Sequence, residues 1–191
     1  MPDRIDWSFI EAREGMALAA YIVPGRRNAG VTIAMGFDLG HWGESDLRAA
    51  GLRPETVALL KPFLGLKGSA AEAALEAYRQ EHGGPLRIEV WEADRLNRLA
   101  RKKIIGPLKR SFDGDLRTGP IRFDDLPGPA QTVLASVAWQ YGPNLAARTP
   151  KFWDLMTRRD WTEAVRELKG FGDKDGRRRR LEADHLETIA I

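Results

Sequence analysis

Gly30-Val31-Thr32-Ile33-Ala34-Met35-Gly36-Phe37-Asp38-Leu39-Gly40 is the stretch that decides the fold. Val31, Ile33, Met35 and Phe37 alternate with Thr32, Ala34, Gly36 and Asp38. Period two places the first set on one face of a strand and the second on the other. Gly25, Gly30, Gly36 and Gly40, with Pro24 and Asn28, punctuate residues 21–40, so a small twisted hairpin or three-stranded sheet is predicted there. A fully extended strand would separate Thr32 from Asp38 by roughly 20 Å. If both serve one site the chain must bend, and Gly36 and Gly40 are the places for it.

Upstream, residues 7–14 read as a short helix. Trp7 and Ile10 stand at i and i+3, Glu14 falls on the same apolar stripe, and Gly15 follows at once. Ser8 and Glu11 have capping-box spacing, with Asp6 as a rival cap. Downstream of residue 44 the pattern is helical. Ser69 and Glu72 open an Ala-rich helix over 70–80 that His82-Gly83-Gly84-Pro85 breaks. A charged helix is predicted over 88–104, with Trp91, Leu96, Leu99 and Ala100 buried. Ala130, Val133, Leu134, Val137 and Tyr141 mark a helix that Gly142-Pro143 stops. Trp161, Ala164, Val165 and Leu168 mark another, capped by Asp160, and a last helix runs over about 177–188. Segregated sheet and helices give an α+β fold. It is read as one domain over 1–191, with a sheet-bearing lobe over 1–60 and a helical lobe over 61–191.

Composition closes off several classes. The chain has 191 residues, 43% hydrophobic and 30% charged, which is globular rather than disordered. It has no Cys, so disulfides, Cys-based metal sites and thiol nucleophiles are excluded. Met1-Pro2-Asp3-Arg4-Ile5-Asp6-Trp7 lacks the apolar core of a secretory signal, and no apolar run reaches a membrane-spanning length. Synthesis in the cytoplasm is expected, with no membrane span. Net charge is only +3, but basic residues cluster over 95–110 and 177–180. Solvated helix faces account for such clusters, and an anionic polymer is the functional alternative. No nucleic-acid-binding motif accompanies them.

The candidate chemistry rests on carboxylates. A carboxyl desolvated on an apolar helical stripe holds its proton to higher pH, which protonation of a glycosidic oxygen requires. Glu14 fits, although a helical Glu pointing to solvent also fits. Asp38 suits a turn cap as well as it suits catalysis. His41, His82 and His185 lack zinc-ligand spacing, and no Gly-x-Ser-x-Gly elbow is present. Trp42, Trp139, Tyr141, Phe152 and Trp153 suit sugar stacking, but core packing accounts for their spacing.

The stretch Phe9-Ile10-Glu11-Ala12-Arg13-Glu14-Gly15, then Tyr21, then Gly30 to Phe37, resembles the N-terminal lobe of phage-type lysozymes. Ala34 stands where that family usually has a Gly. Phe123-Asp124-Asp125-Leu126, Ala138-Trp139-Gln140-Tyr141-Gly142, Lys151-Phe152-Trp153, Asp160-Trp161-Thr162-Glu163-Ala164 and the Arg-rich last helix resemble its helical lobe. In most phage lysozymes the loop between the Tyr and the Thr carries a catalytic Asp. Here residues 22–29 have no carboxylate, and Asp38 follows the Thr instead. That arrangement is similar to the pesticin-like toxin lysozymes.

The resemblance implies a lysozyme-like fold and a muramidase cutting the MurNAc-GlcNAc β-1,4 bond of peptidoglycan with inversion. Glu14 would be the general acid, Asp38 the second carboxylate, and Thr32 would position the attacking water. Arg177, Gln140, Tyr21 and His41 would bind substrate or support the site, Arg177 by pairing with Glu14. No metal or cofactor is implied. Glycan strands are the expected partner and an immunity or inhibitor protein a further one; a monomer acting at the periplasm or wall after delivery is expected. The competing reading is an inactive peptidoglycan-binding module on the same fold.

Overall fold

The computed structural model describes residues 4–189; Met1 to Asp3, where the reading for a signal segment began, lie outside them. The chain divides into two compact units. One holds residues 14–101. The other joins the N-terminal residues through Arg13 to the chain from Lys102 onward. These divisions differ from the lobe boundary drawn at residue 60.

In the first unit, β1 (Ala17–Ile22), β2 (Val31–Ala34) and β3 (Phe37–Asp38) form an antiparallel sheet in the order β1-β2-β3. The period-two run 31–38 is therefore a hairpin rather than one strand. It turns at Met35-Gly36, where Ala34 (φ 56°) and Gly36 (φ 75°) take left-handed backbone. Glycine adopts that conformation freely and Ala does so at a cost. The Met35 amide in the turn donates to Asn97 Oδ1 (3.1 Å). Along β1, Ala20 N donates to Leu86 O and Ile88 N to Leu18 O, so residues 86–88 cover that edge of the sheet. Ile33, Phe37, Leu39, Leu47, Val57, Leu60, Phe63, Leu75, Leu86 and Leu96 make one buried apolar cluster behind the sheet. They come from the strands, from the 3-10 turns Leu39–His41 and Lys61–Phe63, from the edge segment 86–88, and from α2 (Glu44–Ala49), α3 (Pro54–Leu60), α4 (Ser69–His82) and α5 (Val90–Asp113).

Three local expectations shift. Helix α4 begins at Ser69 after Gly68 (φ 57°), with no side-chain cap, so Ser69 is its first helical residue. Trp91 on α5 is 38% exposed, beneath the guanidinium groups of Arg53 and Arg95. Glu92 is buried beside it, held by Thr56 and Arg53. Helix α5 runs on through Gly106-Pro107 to Asp113. Ile105, Leu108 and Phe112 are buried and keep the apolar stripe intact, which offsets the backbone hydrogen bond that Pro107 cannot make.

The second unit contains α1 (Trp7–Glu14, through Arg13), the later half of α5, and α6 (Gly128–Tyr141), α7 (Leu145–Arg148), α8 (Pro150–Arg158), α9 (Trp161–Lys169) and α10 (Gly176–Glu187). Asp6 caps α1, accepting from Phe9 N (3.0 Å), in place of Ser8. Every position of α6 from Ala130 to Ala138 is buried, well beyond the one-sided stripe in its sequence. Its polar residues have partners. Gln131 Oε1 accepts from Arg4 N (2.8 Å) and Thr132 Oγ1 from Asp6 N (2.8 Å), which fastens the strap before α1 onto α6. Asp160 caps α9 by accepting from Glu163 N, as its sequence predicts. Among the described residues no helix is long and apolar enough to cross a membrane.

Candidate active site

Five of the predicted residues, Glu14, Tyr21, Thr32, Asp38 and His41, belong to the sheet-bearing unit; Gln140 and Arg177 belong to the other. The sheet register decides how the first set meets. Tyr21 on β1 opposes Thr32 on β2, and Thr32 opposes Asp38 on β3. Residues directly opposite on paired strands share a face. A phenol, a hydroxyl and a carboxylate thus form one row across three strands. The hairpin turn supplies the bend that brings Thr32 and Asp38 together.

Asp38 is held by backbone. Its Oδ2 accepts from Gly30 N (3.1 Å) and its Oδ1 from Gly40 N (2.8 Å). The second bond caps the 3-10 turn Leu39–His41, so the capping role that the sequence left open is real. A carboxylate has about four acceptor sites and these bonds take two. Both glycines are required by close approach. A Cβ on Gly30 would collide with Asp38 Oδ1 and lie 2.6 Å from Gly40 N. A Cβ on Gly40 would lie 2.6 Å from Leu66 O. His41 Nε2 stands 3.7 Å from Asp38 Oδ2.

Thr32 is buried, and its hydroxyl donates to Gly30 O (3.3 Å), leaving the oxygen's lone pairs to accept. Glu14, the last residue of α1, is half-buried. Burial, and after it the charge of Glu14, pushes the Tyr21 phenol above its ordinary range. Glu14 therefore lies within electrostatic reach of the Tyr21–Thr32–Asp38 row.

In the helical unit, Gln140 is half-buried and its amide donates to Asp175 Oδ2 (3.0 Å). Arg177 is exposed. In the Arg run Arg179 is buried and Arg178 half-buried, because Glu182, three and four residues on, faces the interior and pairs with both. Ser136 also donates to Glu182. Phe152 and Trp153 are core residues. An open cavity of about 300 Å³ lies between Tyr141, Arg148, Lys151, Phe171 and Asp173; Tyr141 and Phe152, two of the aromatic residues suited to sugar stacking, line it, while Glu14, Tyr21, Thr32, Asp38, His41, Gln140 and Arg177 do not.

Sequence reading passed over four contributors. Gly30 and Gly40 were legible as breakers but not as the cradle of Asp38. Lys67, whose Nζ meets His41 Nδ1 (3.2 Å), sits in a loop without motif. Asn97 lies in a helix read only for its apolar stripe.

No curated protein matches the chain. The family model described as "Pesticin: Bacterial toxin homologue of phage lysozyme, C-term" matches residues 4–162. That span holds the whole Tyr21–Thr32–Asp38 row and Glu14, and a small sheet followed by helices is the architecture of a lysozyme-like α+β fold. The chain belongs to the pesticin family of phage-lysozyme homologues.

Proposed function

We propose that the chain is a muramidase that hydrolyses the MurNAc-GlcNAc β-1,4 bond of peptidoglycan with inversion. Family membership supports a peptidoglycan hydrolase of muramidase type and action at the cell wall. The single observation that carries the finer reading is the Tyr21–Thr32–Asp38 row with Glu14 in electrostatic reach of it. Two carboxyl groups of different surroundings are what glycoside hydrolysis needs.

In this reading Glu14 protonates the leaving oxygen. Asp38, anchored by the Gly30 and Gly40 amides, stabilises the oxocarbenium-like transition state or orients the water, whose proton it takes as the new bond to the sugar forms. Thr32 accepts a hydrogen bond from that water through its hydroxyl oxygen. Inversion needs the two carboxyl groups far enough apart to admit the water. Tyr21 and His41 support the row. Gln140 and Arg177 provide further contacts to the polymer, and the chain works as one lysozyme-like domain.

The test is clearance of outer-membrane-stripped Gram-negative peptidoglycan by wild type, Glu14→Gln and Asp38→Asn. Wild type should release muropeptides, and loss of the acid should slow release by roughly 10²- to 10⁴-fold. A wild type that co-sediments with the wall but releases nothing would mean a binding module, with Asp38 serving only as a cap.

A further inference from the structure

His41 stands between two charged groups. Its Nδ1 lies 3.2 Å from Lys67 Nζ, and its Nε2 lies 3.7 Å from Asp38 Oδ2. An ammonium has three hydrogens to donate and no lone pair with which to accept. Between Lys67 Nζ and His41 Nδ1, the ring nitrogen must therefore be the acceptor. A neutral imidazole that accepts at Nδ1 carries its hydrogen on Nε2. That hydrogen faces the Asp38 carboxylate.

Lys67 is delivered to this place by backbone. Gly65 N donates to Leu39 O (3.2 Å) and Gly68 N donates to Ala29 O (2.9 Å). The loop 65–68 is thus laced to the residues next to Gly30 and Gly40, whose amides hold Asp38. A Cβ on Gly40 would come 3.0 Å from Lys67 Cγ, so the lysine stem lies directly on the cradle.

We propose that Lys67 and His41 are positioning residues for Asp38. Lys67 sets the His41 tautomer, and the Nε2 hydrogen of His41 steadies Asp38 Oδ2 as a third donor beside the two backbone amides. The 3.7 Å separation exceeds a hydrogen bond, and catalytic contacts of this kind commonly tighten only when substrate is bound. The inference rests on Asp38 being the second carboxylate of the proposed muramidase.

The tautomer is read from long-range ¹H–¹⁵N correlations of the His41 ring. Wild type should show hydrogen on Nε2 alone, and Lys67→Met should show a mixture. On stripped peptidoglycan, Lys67→Met and His41→Asn should lower kcat about tenfold, the worth of one charge-assisted hydrogen bond, with KM little changed. Lys67→Arg, which still donates to Nδ1, should recover most of the rate. So should His41→Gln, whose amide NH₂ replaces Nε2. Both side chains are exposed, so melting temperatures should hold. A mixed tautomer in an active wild type, or a Lys67→Met variant with unchanged spectrum and kcat, overturns the pair alone. A wild type that releases no muropeptides overturns the muramidase reading, and the catalytic use of the pair with it.

Discussion

Thr32 and Asp38 are cross-strand partners on β2 and β3, their Cα atoms opposed across the ladder. Their juxtaposition is set by strand pairing and a two-residue turn, not by side-chain packing. The Asp38 carboxylate is then fixed from both sides by the amides of Gly30 and Gly40. Such a group is oriented before any substrate arrives, which is what electrostatic stabilisation of a transition state requires.

Thr32→Val keeps the shape of the side chain and removes its hydroxyl. If that oxygen positions the attacking water, turnover of peptidoglycan should fall by roughly 10- to 100-fold while Thr32→Ser stays near wild type. Initial rates of muropeptide release decide it. Equal rates for Val and Ser variants would remove Thr32 from the mechanism.

Gly30→Ala places a methyl against Asp38 Oδ1 and the backbone of Gly40. Backbone cannot swing aside as a flexible side chain can. The variant should lose about 1–3 kcal/mol of stability and act no faster than Asp38→Asn. Gly84→Ala is the control, since its Cβ would meet nothing within 4 Å. Urea unfolding of the two variants in parallel separates the crowding effect from a general cost of replacing glycine.

Asn97→Leu leaves the buried Met35 amide without its acceptor. An unsatisfied buried donor costs about 1–3 kcal/mol. The loss should appear first as faster hydrogen exchange at the amides of the β2–β3 turn. If exchange there is unaltered, Asn97 does not hold the turn.

Asp115 accepts from the Arg117 guanidinium (2.6 and 2.8 Å), the Arg117 amide (3.0 Å) and Trp153 Nε1 (2.9 Å). The Arg117 side chain first of all holds this carboxyl well below the ordinary carboxylate range. A folded-state value below the unfolded one means the unfolded chain binds the extra proton. The contribution is therefore present above the ordinary value of 3.8 and is lost as pH falls below it. Arg117 is 41% exposed, so solvent screening discounts the ion pair. Asp115→Asn should cost about 1–2 kcal/mol near neutral pH. The gap between variant and wild type should narrow below about pH 4. Urea midpoints measured across that range test the sign as well as the size.

How far the sequence reached follows from the range of each interaction. Helices α6 and α9 and the cap at Asp160 were legible because their signals are local and periodic. The α+β class followed from the change of period near residue 40. The hairpin within 31–38 was only half legible. Alternation predicts a strand, and the Gly36 that folds it back competes with that signal without erasing it. Burial of Glu92 and Arg179 was hidden because charged residues read as surface until their partners are known. Thr56 and Arg53 lie far from Glu92 in sequence. The Asp38 cradle escaped for the same reason. Gly30 and Gly40 are punctuation in a string, and they become donors only when the chain is folded around a carboxylate.

The strap that Gln131 and Thr132 hold has a bearing on synthesis. Arg4 and Asp6 leave the ribosome more than a hundred residues before the side chains that receive their amides. Residues 14–101, by contrast, carry all of their own unit and can collapse once they have emerged. The nascent chain should thus form the row of Tyr21, Thr32 and Asp38 early, while the segment just ahead of Glu14 waits for α6. The strap is fastened only at the closing stage of translation, and a ribosome-stalled fragment ending before α6 should carry a finished sheet and an unfastened N-terminal segment.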